Sequence, residues 1–174
     1  MAAVVAAKTL PLDSKKLHRA LKSIADKIEK GGSLRVGFLE GAMYPARDNS
    51  RFLKAIGSKA KPTVSPPVSV ATVAFWNEFG TIRAPARPFF RSTIAAQSKT
   101  WGENLGKAIV YYNYDGETAL RALGQAMRDD VEASIQRWTD PGNAPLTIKI
   151  KGFDKPLLDS GVLNRSPDFE VVPK

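Results

Sequence analysis

Residues 74–90 read Ala-Phe-Trp-Asn-Glu-Phe-Gly-Thr-Ile-Arg-Ala-Pro-Ala-Arg-Pro-Phe-Phe, and that punctuation leaves the chain few conformations there. Ser69 is a good N-cap, so a helix is expected from Val70 to Phe79 with Gly80 as its stop. Val70, Val73 and Ala74, with Asn77 and Gly80, define one face of it. Arg87-Pro88 then opens a longer helix, because proline is tolerated in a first turn. The stretch therefore predicts a helix–loop–helix corner. Glu78 sits near the end of the first helix, where its carboxylate can accept a bidentate pair from Arg83 or Arg87. Phe79, Phe89 or Phe90 is expected to plug the core beside it. As a catalytic acid Glu78 needs a partner base or nucleophile, and none is near it in sequence.

The remaining periodicity predicts a mixture of helices and short strands. Asp13 or Ser14 caps a helix over 14–30, in which Leu17, Leu21, Ile24 and Ile28 recur at spacings of 4, 3 and 4 as a core-facing stripe. Gly31-Gly32 ends it, and Leu34, Val36 and Phe38 then alternate as one face of a strand. After the corner, Phe90, Ile94, Trp101, Leu105, Ile109 and Tyr112 mark a long helix. A turn at Asn113-Tyr114-Asp115-Gly116 leads to another over 117–138, with Leu120, Leu123, Met127, Val131, Ile135 and Trp138 along one side. Leu146 to Lys151 alternates like a strand, 157–166 has room for one or two helical turns, and Phe169 to Val172 reads as a last strand. The fold class expected is α+β: a small antiparallel sheet packed against three to four helices, in one domain over 1–174. Residues 41–68, rich in Gly, Pro and Ser, predict a long exposed excursion, a hairpin or a mobile loop. With little apolar surface, residues 41–66 are expected to order mainly on assembly.

Composition removes several function classes. The chain has 174 residues, no cysteine and one histidine, which excludes disulfides, thiolate metal sites and a His cluster. His18, in a basic helical stretch, reads as a surface residue. The acids Asp129, Asp130 and Glu132 point in different directions on one helix and read as a solvated face, with Arg128 and Glu132 as an i,i+4 pair. No phosphate-binding glycine loop is present, so no catalytic residue, metal or cofactor is assigned. Met1 to Ala7 is too short for a secretory signal and no window reaches a membrane span, so a soluble, cytoplasmically made protein is expected. Trp101, Tyr112 and Trp138 lie on helical stripes and read as core rather than as stacking platforms for single strands. The net charge of +9 is uneven: residues 1–66 hold 13 Lys/Arg against 5 Asp/Glu. Arg47, Arg51, Lys54, Lys59 and Lys61 lie in the excursion as candidate contacts to DNA or to an acidic partner.

Two motifs carry a resemblance. Asn77-Glu78-Phe79-Gly80-Thr81 followed by Pro85-Ala86-Arg87-Pro88-Phe89 resembles a signature of tailed-bacteriophage neck proteins, the tail-completion or head–tail joining family. About 70 residues on, Pro156-Leu157-Leu158-Asp159-Ser160-Gly161-Val162-Leu163 resembles that family's C-terminal motif. The resemblance implies a non-enzymatic virion protein made in the host cytoplasm, forming a ring around the DNA channel between head and tail. It implies copies of itself as partners, with six favoured over twelve. Neighbouring connector and tail-terminator proteins are further partners, and packaged double-stranded DNA is a candidate contact. A basic, sequence-independent DNA-binding protein is the alternative reading.

Overall fold

The computed structural model describes residues 13–174. The expectation for Met1 to Ala7 lies outside them. Asp13 caps α1 (Ser14–Glu29), its carboxylate accepting the backbone N–H groups of Lys15 and Lys16. β1 (Ser33–Phe38) follows and pairs antiparallel with β6 (Pro167–Val172), Ser33 opposite Val172 and Phe38 opposite Pro167. Between them come α3 (Val70–Phe79), α4 (Phe89–Tyr111), α5 (Gly116–Arg137), α6 (Pro145–Lys151) and α7 (Val162–Arg165). The long α4 and α5 pack side by side, and α5 also covers the β1–β6 pair. The class is α+β, as the mixed periodicity predicts.

The core is compact and lies where α3, α4, α5 and α7 converge: Val70, Ala74, Phe89, Val131, Ile135 and Leu163 are buried together. Farther along α5 the sheet approaches so closely that only glycine fits. A Cβ on Gly124 would stand 2.3 Å from the Phe169 ring and 2.9 Å from a Leu34 methyl. Gly124→Ala is therefore expected to lower stability by about 1–3 kcal/mol through overpacking. Urea melts of that variant check this, and a midpoint equal to wild type would mean that the strand pair yields freely.

Residues 41–68 fold as an arm instead of remaining a loose loop. β2 (Met43–Tyr44) pairs with β5 (Val68–Ser69), and β3 (Arg47–Asp48) with β4 (Val64–Ser65), so the excursion is a narrow hairpin. At its tip sits α2 (Ser50–Ala55). It is held without a large apolar core of its own, Ala42 and Tyr44 at its base packing on the main core. Ala55 is buried as α2 lies against α6, the Asn49 side-chain oxygen accepts the Thr63 N–H at 2.8 Å, and Arg47 pairs with Asp159. Ordering on assembly is thus not required for this segment to have structure.

Other expectations need correction. Residues 145–151 form helix α6, not a strand. Pro145 starts it, Gly152 in the left-handed region (φ 83°) ends it, and over seven residues apolar alternation cannot separate the two periods. The α1 stripe faces no core: Leu17, Leu21 and Ile28 are exposed, Leu21 at 56%. The helix meets the body at its C-terminal end, where Gly31 backs onto Gly116, and α5 has already taken the face of the sheet. On α4 the buried line runs through Phe89, Thr93 and Trp101, one residue off the expected line at its start, so Ile94 is exposed.

Candidate functional site

The corner holds together by a device that the sequence only half disclosed. Helix α4 begins after Pro88, which has no side chain able to cap it. The acceptor comes from α3. Glu78, 6% exposed, takes the Phe90 N–H on Oε2 and the Arg91 N–H on Oε1, both at 3.0 Å. The negative carboxylate thus sits on the positive end of the 23-residue α4 dipole. Its cationic partner is Arg91, whose Nε donates to Oε1 at 2.8 Å and whose Nη2 donates to the Glu78 carbonyl at 2.9 Å. Neither Arg83 nor Arg87 is that partner. An acid facing a helix start is met by the residues of that first turn, whereas Arg83 lies outside on the Thr81–Ala84 bridge.

The other corner residues each have a place. Asn77 donates its side-chain N–H to the Val73 carbonyl at 2.8 Å, and its own carbonyl accepts the Arg87 N–H at 2.6 Å. Gly80 has φ 77° and ψ 176°, and a Cβ there would lie 2.8 Å from the Ala86 nitrogen, so the turn excludes any side chain. Phe79 is exposed, stacked under the Arg91 guanidinium at 4.7 Å; Phe89, at 0% exposure, is the residue that plugs the core, with Phe90 half-buried beside it. Arg87 crosses the body, donating Nε to the Pro141 carbonyl at 3.0 Å and Nη2 to the Gly142 carbonyl at 2.7 Å.

The C-terminal motif converges on the same place. Leu163 is buried in the core beside Val70, Ala74 and Phe89, and Pro156 is buried with Leu157 half-buried next to it. Gly161 (φ 76°) turns the chain into α7. Asp159 faces outward and takes Arg47 of the arm. Arg47 is consequently a strut between arm and body, while Arg51, Lys54, Lys59 and Lys61 are exposed on the arm. Two further pairings were not foreseen: Trp101 donates Nε1 to Asp130 at 2.8 Å, and Arg128 pairs with Asp129 at 3.0 Å in place of Glu132. The Trp101 contact makes Asp130 a clamp between α4 and α5 rather than part of a solvated face.

Among the described residues no group of three or more His, Asp or Glu is placed to hold a metal ion, and no helix is long and apolar enough to cross a membrane. Comparison with known protein families, curated proteins and solved structures returns no match to this chain.

Proposed function

We propose that this chain is a neck component of a tailed phage, joining the DNA-filled head to the tail as a ring of copies. One observation carries the reading. The two motif segments, about 70 residues apart in sequence, share a single core and together seat the base of a basic arm that lies along the body. A rigid corner that fixes the angle of an exposed arm suits a part whose work is interface geometry. Heterologous contacts repeated between copies close into a ring when the rotation per copy divides a full turn, and six copies match a tail tube. The arm charges, Lys54, Lys59 and Lys61, then meet an acidic surface on a neighbouring connector or terminator.

The test is a phage genome carrying Lys54→Glu, Lys59→Glu and Lys61→Glu together. These side chains are exposed, so the protein is expected to fold normally. Electron microscopy should then show filled heads and finished tails that remain unjoined. Normal joined particles from the triple variant would overturn the electrostatic role of the arm. The same exposed cations and the net charge of +9 also support a second reading, sequence-independent binding of duplex DNA. Tight gel shifts that collapse steeply as salt rises would favour that reading.

A further inference from the structure

Beneath the arm runs an open groove of about 1140 Å³. The arm forms one wall; α3, α6 and the C-terminal motif form the other. Its charges do not balance. Arg47, Arg51, Arg87 and Lys151 line it, against the carboxylates of Asp48 and Asp159. Both acids are already engaged: Asp48 accepts the Ser50 N–H and hydroxyl, and Asp159 holds Arg47. Arg87 stands out. It is only 9% exposed, its hydrogen bonds go to two backbone carbonyls, and among the described residues no carboxylate lies within ion-pair distance of it. Carbonyl dipoles soften a buried guanidinium without neutralising it, and its charge cannot be shed by deprotonation. Lys151, on the same groove, donates Nζ to the Lys155 carbonyl. Burial pushes the Lys151 ammonium below its ordinary pKa; the Asp159 carboxylate works against that shift, and the nearby Arg87 charge works with it. Two partly desolvated cations therefore share a groove, and of the two Arg87 has no carboxylate facing it among the described residues.

We propose that this groove receives an acidic, extended segment of a partner protein, with a Glu or Asp side chain of that segment seated at Arg87 and Lys151. A carboxylate completes the unbalanced pair with a charge-assisted, bidentate contact of the kind a guanidinium fork favours. Trp76, Ile150, Leu157 and Leu158 supply apolar lining for the residues flanking that carboxylate, and Trp76 is the kind of anchor that dominates such interfaces. The volume exceeds the range of small-ligand pockets and suits a peptide. Duplex DNA is a stiff rod that presents phosphates on its outside, and it cannot follow a 9% exposed guanidinium into a groove. The inference rests on the neck reading only for who supplies the segment; binding by purified protein is read independently of whether particles join.

Fluorescence anisotropy with labelled hexaglutamate, with hexaglutamine as the uncharged control, tests it. The full chain should bind hexaglutamate and not hexaglutamine. Arg87→Gln should weaken binding about tenfold and Lys151→Gln about fivefold, the loss of a charge-assisted hydrogen bond being of that order. Lys99→Gln and Lys107→Gln remove the same charge from the exposed face of α4 and should change affinity less than about twofold, as distant screened charges do. If Arg87→Gln does not fold, Lys151→Gln decides. Equal weakening by all four variants would show mere attraction to a basic protein and overturn the site. Failure of hexaglutamate to bind would overturn it too. A short DNA duplex that binds with the same dependence on Arg87 and Lys151 would replace the acidic segment as the occupant.

Discussion

Glu78→Ala is expected to lower the melting temperature by about 6–20 °C. The substitution strips the acceptor from the Phe90 and Arg91 N–H groups, opens the start of α4, and leaves the Arg91 side chain with the residue-78 carbonyl as its one hydrogen-bond acceptor and the Phe79 ring beneath it. Loss of a helix cap costs about 1 kcal/mol, and breaking a buried charged pair from one side costs about 3–5 kcal/mol. Arg91 is half-exposed, so the pair contributes less than a fully buried one and the total stays near 3–5 kcal/mol. In a chain of 174 residues each kcal/mol shifts the midpoint by roughly 2–4 °C. Calorimetry on Glu78→Ala beside Arg83→Ala separates the observed arrangement from the one the sequence suggested. Arg83→Ala should melt within about 2 °C of wild type, since surface changes stay within about 0.5 kcal/mol. A large loss from Arg83→Ala, with none from Glu78→Ala, would refute the arrangement.

Phe89→Ala should be as damaging by a different route. Phe89 is wholly buried, touches Phe38 edge-on at 6.1 Å between ring centres, and shares the core with Val131, Ile135 and Leu163. Removing a buried phenyl ring costs about 3–5 kcal/mol, part of it from the cavity that remains. Its carbonyl, which accepts the Ser134 hydroxyl at 3.1 Å, is untouched by the change, so the loss reports packing alone. Urea unfolding should show a lower midpoint with an unchanged slope. Phe79→Ala is the comparison: that ring is exposed, and its loss should be small. The reverse order of effects would mean the wrong phenylalanine had been assigned to the core.

Helix α3 was legible because it carries its own start and stop, and α5 because a turn at 113–116 precedes it. Ser69 and Gly80 bracket α3 at the expected positions, and Asp115 caps α5 through Thr118. The partner of Glu78 was harder to see, since side-chain pairing across a turn depends on where the second helix points. A usable clue was present: a helix opening after proline with no Ser, Thr, Asp or Asn to cap it needs an acceptor from elsewhere. The strut from Arg47 to Asp159 spans 112 residues, and no local pattern announces such a contact. The α1 stripe misled for a different reason. Periodicity states that a face is apolar, whereas only tertiary packing states whether anything covers it.

The pairing of β1 with β6 bears on the order in which the protein assembles itself. Arg35 meets Glu170 across 135 residues. Bringing such distant segments together in an open chain costs roughly 2 kcal/mol more in loop entropy than closing a 15-residue loop. The α4–α5 hairpin, joined by a short turn, has no such handicap, and once formed it shortens the path that β6 must travel. The sheet is therefore expected to close late, onto a helical frame formed before it. Because α1 reaches the body only near Gly31, unzipping β1 releases residues 14–38 as a single piece. The N-terminal helix and strand are thus expected to be the last section to lock, and their release uncovers the corner where Phe38 lies against Phe89 and Phe90.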